Sequence, residues 1–326
     1  MIDIDKRYGS VAANRGVNLS VEAATVHGLV GENGAGKSTL MAILYGLQAP
    51  DAGRIEIDGT PVRIRHAADA IALGLGLVHQ HFMLVETLSA IDNVMLGAEP
   101  HPLLRRADAM VRPRLRGLMA ATGLEVDLDR VVADLSVGDR QRLEILKVLY
   151  RGARILILDE PTAVLTPQET DSLFEVLGRL REQGTTVVLI THKLAEVMRL
   201  CDRVTVMRGG RVVHECAIAD ASVPGLALAM VGRQVQLGRP ARPSTGTGPV
   251  RLDASRLTVR DTLNVLRLDA VGLTLRAGEI VGVAGVAGNG QSELLEVLSG
   301  LRTPDAGTLQ VGGRAYTPRR WIDPRG

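Results

Sequence analysis

Eight residues, Gly31-Glu32-Asn33-Gly34-Ala35-Gly36-Lys37-Ser38, constrain this chain more than any other stretch. They fit G-x-x-x-x-G-K-[ST], a phosphate-binding loop, with a third glycine inside. An apolar, strand-like run (Val26 to Val30) precedes them and a helix-like run (Thr39 to Gly46) follows. A strand–loop–helix unit of this kind belongs to an α/β fold, with the loop at the carboxyl edge of a parallel sheet. Glycines let successive N–H groups turn inward around a polyphosphate, and the helix N-terminus adds its positive dipole end. Lys37 reaches the β- and γ-phosphates in such a loop, and the Ser38 hydroxyl binds Mg²⁺, with Thr39 beside it. The sequence therefore predicts a chain that binds a nucleoside triphosphate.

At 326 residues there is room for two domains. Lys and Arg number 38 against 36 Asp and Glu, and they are interspersed, so no basic face for nucleic acid is expected. Aromatics are scarce, which weakens any base-stacking platform. Cys201 and Cys216 match no metal or redox spacing. No apolar run approaches the ~18 residues of a membrane span, and Met1 to Arg7 lacks the apolar stretch of a secretory signal. A soluble cytoplasmic protein is expected. If it acts at a membrane, other chains cross it.

Around the loop the pattern predicts strands at Ile2 to Tyr8, Val17 to Val26, Arg54 to Gly59 and Gly76 to His79, with Gln80 at the end of the last. Tyr8 is a strand-end tyrosine or a platform for a base. Thr87 to Ala133 reads as mostly helical, including Asp92 to Leu96 and Pro113 to Leu124. Asp134 to Arg140 lead into a helix from Gln141 to Tyr150, with Ser136 placed as an N-cap, and the helix dipole offers a second anion site. Ile155 to Glu160 is a fully apolar strand ending in two carboxylates, as a central parallel strand requires. Asp159 then fits a holder of Mg²⁺, and Glu160 the base that aims the attacking water. Thr166-Pro167-Gln168-Glu169 is a capping box that starts a helix to Arg181. Thr185 to Thr191 is another buried strand, delivering His192 to the same edge as a γ-phosphate sensor or a structural histidine. Val204 to Met207 and Arg211 to His214 flank Gly209-Gly210 as a hairpin.

Residues 236–250, rich in Gly, Pro, Ser and Thr, read as a linker. Beyond it the chain repeats itself: a shift of 254 (282 less 28) lays Gly28–Gly59 over Gly282–Gly313. Gly285-Val286-Ala287-Gly288-Asn289-Gly290-Gln291-Ser292 is then a second loop, with Gln291 where the first has Lys37. Lacking that ammonium, it is expected to bind nucleotide weakly or only structurally.

Leu135-Ser136-Val137-Gly138-Asp139, taken with Gly31–Ser38 and Leu158–Glu160, resembles the signature LSGGQ of ATP-binding cassette (ABC) ATPases, Val137 and Asp139 departing from it. The resemblance makes Gln80 the Q-loop glutamine and a further Mg²⁺ ligand, His192 the H-loop histidine, and Tyr8 the aromatic that stacks on adenine. Thr166 stands where the family's D-loop commonly has aspartate. The segments Val78 to Leu84 and Leu158 to Glu169, with the fused second cassette lacking its lysine, resemble double-cassette ATPases of simple-sugar and nucleoside importers. That implies a P-loop NTPase core with an antiparallel β subdomain and a helical subdomain (about 85–150) in a first cassette, 1–235. The linker, 236–250, and the front part of a degenerate second cassette, 251–326, follow.

In that family two cassettes close face to face, and each site joins one cassette's P-loop to the other's signature. The resemblance therefore implies ATP and Mg²⁺ as cofactors. It implies two membrane-spanning permease subunits and a solute-binding protein as partners, and no nucleic acid. It places the chain peripherally at the cytoplasmic face of the membrane. The chain ends at Gly326, before a second signature, so one copy is expected to bind Mg-ATP without completing a hydrolytic site. Either another copy or residues beyond Gly326 would complete it. The Met1 start and the Asp323–Gly326 end fit a fragment or an interrupted gene. Two other readings are a soluble ABC ATPase acting on the ribosome or nucleic acid, and a decayed, uncoupled product.

Overall fold

The computed structural model describes residues 1–98, 104–232, 248–261, 264–285 and 289–316, with backbone only for 104–109. Most of the expected linker, Val286 to Gly288 of the second loop, and Asp323–Gly326 lie outside the described residues. The chain divides into two units, Met1–Val235 and Gln236–Gly326.

In the first unit the apolar runs become the parallel strands β3 (Val26–Val30), β6 (Leu75–Val78), β7 (Ile155–Asp159), β8 (Thr186–Thr191) and β9 (Arg203–Arg208). With antiparallel β10 (Arg211–Ala217) at one edge, they stand in the order β10-β9-β3-β8-β7-β6. Alternate residues of each run feed two cores. Val26, Val30, Leu156, Leu158, Val187 and Leu189 face one, while Leu29, Ile157, Val188 and Ile190 face the other. A sheet covered on both faces leaves no solvent-facing position, which is why these strands carry no alternating pattern.

The second of these cores is closed by α1 (Lys37–Leu44) and α2 (Ala67–Ala72), through Leu40, Ile43 and Ala70. An antiparallel sheet also contributes, through Ile4, Val17 and Ile55. Its strands are β1 (Ile2–Tyr8), β2 (Val11–Val17), β4 (Ala52–Ile57) and β5 (Thr60–Val62), in the order β2-β1-β4-β5. The first core holds α3 (Ala90–Met95), α4 (Leu104–Thr122), α5 (Val137–Tyr150), α6 (Pro167–Glu182), α7 (Leu194–Leu200) and α8 (Val223–Val231). The capping box at Thr166 and Glu169 is formed in full, and the Ser136 hydroxyl accepts from the Asp139 N–H to cap α5.

Three sequence expectations are corrected. The strand expected from Val17 to Val26 is instead β2, ending at Val17, followed by a loop. There Asn18 exchanges hydrogen bonds with Asp3, Thr25 Oγ1 donates to the Glu22 carbonyl, and Ala24 turns at φ 56°. Its alternation reflects a loop laying Leu19 on the core. Second, α4 begins nine residues before Pro113, which sits inside it and forfeits a hydrogen bond. Val111 and Leu115, buried on either side of the proline, anchor the helix through the break. Third, α5 starts at Val137, and the stretch expected to be mostly helical is irregular from 123 to 131.

The second unit holds a sheet in the order β12-β11-β13-β14, made of β11 (Val250–Arg260), β12 (Leu266–Arg276), β13 (Ala306–Val311) and β14 (Arg314–Ala315), with α9 (Gln291–Leu298). The 254-residue shift carries the bounds of α1 onto α9 and of β4 onto β13. It also carries Gly36 (φ 101°) onto Gly290 (φ 92°). A Cβ at either would strike a carbonyl at shifted positions, that of Ala13 or of Arg267. The repeat is thus written into backbone geometry as well as sequence. The equivalence fails at β3: no strand forms at the shifted positions, and where Val26 is fully buried its counterpart Ile280 is 86% exposed.

Candidate functional site

Parallel pairing sets the carboxyl ends of four strands side by side, with Val30 opposite Thr191, Asp159 opposite Ile190 and Val78 opposite Leu158. The next residues, Gly31, His192, Glu160 and His79-Gln80, therefore leave the sheet along one edge. A cavity of about 660 Å³ opens there, a size suited to a small ligand. It is lined by Tyr8, by Asn33 to Thr39, and by Gln80, Asp159 and Glu160. A smaller cavity of about 190 Å³ lies at the other end of the strands, against Leu75, Ile155 and Thr186, away from all of these groups.

The loop from Gly31 to Ser38 has its shape because glycine stands where nothing else fits. Gly36 is left-handed and caps α1, and its missing Cβ makes room for the Ala13 carbonyl. A Cβ at Gly31 would strike the carbonyl of Met207. Two elements brace the loop from outside. Fully buried Asn14, in β2, donates Nδ2 to the Gly36 carbonyl at 3.1 Å. The Gly210 N–H, at the β9–β10 turn, donates to the Ala35 carbonyl at 3.1 Å. Neither brace was anticipated from the sequence. Asn14 sits in an ordinary strand, and only the long-range fold aims it at the loop.

Lys37 is buried, its ammonium donating to the carbonyls of Gly31 (2.7 Å) and Glu32 (3.1 Å). Burial pulls its pKa below the ordinary lysine value, while the carboxylates of Glu160 and Asp159 hold it up. Asp159 shows the converse: burial and the neighbouring Glu160 charge raise its carboxyl above the ordinary range. Lys37, His79 and a hydrogen bond from Ser38 pull it back. Glu160 takes a left-handed backbone (φ 47°), its N–H donating to the Ile190 carbonyl at 2.9 Å. For a residue with a Cβ that conformation costs roughly 1–2 kcal/mol, and strain of this kind gathers at functional positions. Its Oε1 lies 2.8 Å from Nδ1 of His192. An ionised carboxylate only accepts, so Nδ1 carries the proton in this pair.

The site thus gathers Tyr8, the loop, Ser38, Gln80, Asp159 and Glu160, with His192 joined through Glu160. Gly31 and Glu32 contribute through their carbonyls to Lys37. Ser136 and Gly138 do not line this cavity. At the start of α5 the Gly138 N–H donates to Oε1 of Glu169 at 3.2 Å, and the Ser136 hydroxyl donates to Asp139 at 2.8 Å. One N–H at that helix end, that of Gly138, is therefore engaged by a carboxylate of the same chain. Among the described residues no three His, Cys, Asp or Glu side chains cluster as a metal site. A divalent cation at this edge would rest on one carboxylate, Asp159, together with hydroxyl, amide and phosphate oxygens. That oxygen-rich, carboxylate-poor set suits Mg²⁺ bound with a nucleotide.

The ABC transporter family model matches residues 14–163 and 268–326. A glucose import ATP-binding protein of Haloferax volcanii is 45% identical, the match covering 99% of this chain and 64% of that protein. A guanosine import ATP-binding protein of Bacillus subtilis is 44% identical over 98% of this chain and 63% of its own length. The chain thus spans a little under two thirds of these curated relatives. Among solved structures, a component of the ABC transporter complex cbiONQ from Clostridium perfringens aligns with a TM-score of 0.61 at 29% identity. That alignment covers 71% of this chain and 92% of the other. No helix among the described residues is long and apolar enough to cross a membrane.

Proposed function

Since the chain belongs to the ABC transporter family, we propose that it is an ATP-binding, ATP-hydrolysing subunit that energises import of simple sugars or nucleosides. The observation that carries this reading is the single cavity gathering the phosphate loop, Asp159, Glu160, Gln80 and Tyr8. The loop N–H groups and Lys37 hold the β- and γ-phosphates, Lys37 leaving the Gly31 and Glu32 carbonyls to do so. Tyr8, exposed at the cavity rim, stacks on adenine. Ser38, Asp159 and Gln80 would hold Mg²⁺, which when bound neutralises charge on the phosphates, and Thr39 lines the cavity beside Ser38 on the nucleotide. Glu160 takes a proton from the attacking water, and His192 orients its carboxylate through the Nδ1 hydrogen bond. Little covalent chemistry is left for the protein, so catalysis is positioning and electrostatics.

A full hydrolytic site pairs this loop with the Ser136–Gly138 segment of another cassette, in a double-cassette chain or in a second copy. The second unit, with Gln291 in the lysine position, serves as the front of a degenerate cassette. Coupling runs through two permease subunits that dock near 80–96, a solute-binding protein delivering the solute outside, with this subunit peripheral at the cytoplasmic face. Import is favoured over a ribosomal or nucleic-acid role by the balanced charge and by the importer names of its relatives.

The test is ATP hydrolysis across a wide range of protein concentration, with Glu160→Gln as control. Activity rising faster than linearly with concentration, and absent in the control, is the expected result. Activity strictly proportional to concentration in a monomeric preparation would overturn shared sites. Failure to bind ATP at all would overturn the whole reading.

A further inference from the structure

Glu160 and His192 stand on two turns that leave neighbouring strands, β7 and β8. Two residues past Glu160 lies Thr162, and just before His192 lies Thr191, each 2% exposed. Glu196, in the first turn of α7 and 9% exposed, holds both turns at once without lining the cavity. Its Oε1 accepts from the Thr162 hydroxyl at 2.6 Å and pairs with Nζ of Lys193 at 3.2 Å. Its Oε2 accepts from the Thr191 hydroxyl at 3.4 Å. Lys193 closes the ring. Nζ donates to the Thr162 carbonyl and hydroxyl oxygens, each at 3.0 Å, and the Lys193 N–H donates to the Thr191 hydroxyl at 3.0 Å. A carboxylate only accepts and an ammonium only donates, so both hydroxyl protons point to Glu196. Burying a carboxylate is costly unless it is paired and hydrogen-bonded, and here three residues do that.

What the ring holds is strained. Glu160 is left-handed at φ 47°, and its carbonyl accepts from the Ala163 N–H at 3.1 Å across the turn that contains Thr162. A residue with a Cβ persists in that conformation only where its surroundings over-determine it. The Ile190 carbonyl fixes Glu160 from the strand side, and Thr162 fixes the turn that follows. The same carboxylate, through Thr191, fixes the residue from which His192 departs.

We propose that Glu196 is a positioning residue for hydrolysis. By tying Thr162 to Thr191 it sets the separation of the two turns, and so keeps Oε1 of Glu160 within 2.8 Å of Nδ1 of His192. The catalytic half of the idea rests on the function proposed above. The lock itself does not.

Imidazole ¹⁵N shifts of the full chain read the lock without any turnover. At about pH 8.5, where an ordinary imidazole is neutral, His192 is expected to carry its proton on Nδ1. In Glu196→Ala that tautomer should give way to a mixture of the two, with the Kd for ATP unchanged as evidence of an intact fold. Glu196→Gln keeps an acceptor for Thr162 and offers Thr191 an N–H, so it should restore most of the Nδ1 form. Thr162→Val cuts one arm of the ring and should move the same signal by less. In ATP hydrolysis at high chain concentration, Glu196→Ala should lower kcat about tenfold while KM for MgATP holds, the mark of an interaction that matters in the transition state. Glu196→Gln should recover most of that loss. An unchanged tautomer in folded Glu196→Ala or Thr162→Val protein would overturn the lock. A changed tautomer with kcat intact would leave the lock standing and overturn its catalytic role. A wild-type chain that binds ATP without ever hydrolysing it would overturn hydrolysis by this chain, and the catalytic role with it, while the tautomer still decides the lock.

Discussion

At the scale of single residues, the cavity edge concentrates groups held away from their preferred states. Asp159 is buried beside Glu160, which raises its carboxyl above the ordinary range. Replacing it with neutral Asn removes both penalties, so Asp159→Asn should raise the Tm of the nucleotide-free chain while weakening Mg²⁺-dependent ATP affinity; calorimetry and titration check the two halves. Glu160→Gln keeps the shape and removes the base. Hydrolysis should fall by about 10²–10⁴-fold with ATP binding retained, as single-turnover kinetics would show. His27 is a different case, fully buried in β3 with Nε2 2.8 Å from the Thr205 hydroxyl and Nδ1 without a hydrogen-bond partner. A neutral ring that donates from Nε2 leaves only a lone pair unsatisfied. Burial lowers its pKa below the ordinary 6.5, Glu215 and Glu22 opposing and Arg203 assisting. Below about pH 6.5 the unfolded chain then binds the proton first. Stability is lost as pH falls through that value, and the loss stops once the folded ring also protonates. In His27→Gln the Tm difference between pH 7.5 and 5.5 should shrink.

At the scale of elements, the local rules carried far. The capping box at Thr166 forms as its spacing dictates, and Thr166→Ala should cost about 1 kcal/mol, visible as a lower urea midpoint with an unchanged m-value. Fully apolar runs became central strands because both of their faces are covered, and the residue after each run reached the site edge. Legibility ended where a long-range partner decides the outcome. Val17 to Val26 alternates like a strand, but Asn18 and Asp3 tie it down as a loop. Asn14 has no motif, yet it holds the Gly36 carbonyl. The helix dipole ahead of Gly138 promises an anion site, and only the fold reveals Glu169 already there. Glycines at fixed spacing were legible because their geometry is local. Braces were not, because theirs is made by residues far away in sequence.

At the scale of the whole chain, the two units tell the same backbone story with different cover. Ile280 and Val283 stand in the positions that β3 buries between β8 and β9, and both are exposed. Met83 and Val85, in the first unit, are also apolar and exposed. An uncovered extended stretch ordinarily invites another strand to pair with it, and so courts aggregation. Here the peptide groups of Met83 and Val85 are already bonded to the side chains of Glu144, Lys147 and Asn93. A visiting strand therefore finds half of this stretch's backbone groups already taken, while the exposed side chains stay open to whatever fits their shape.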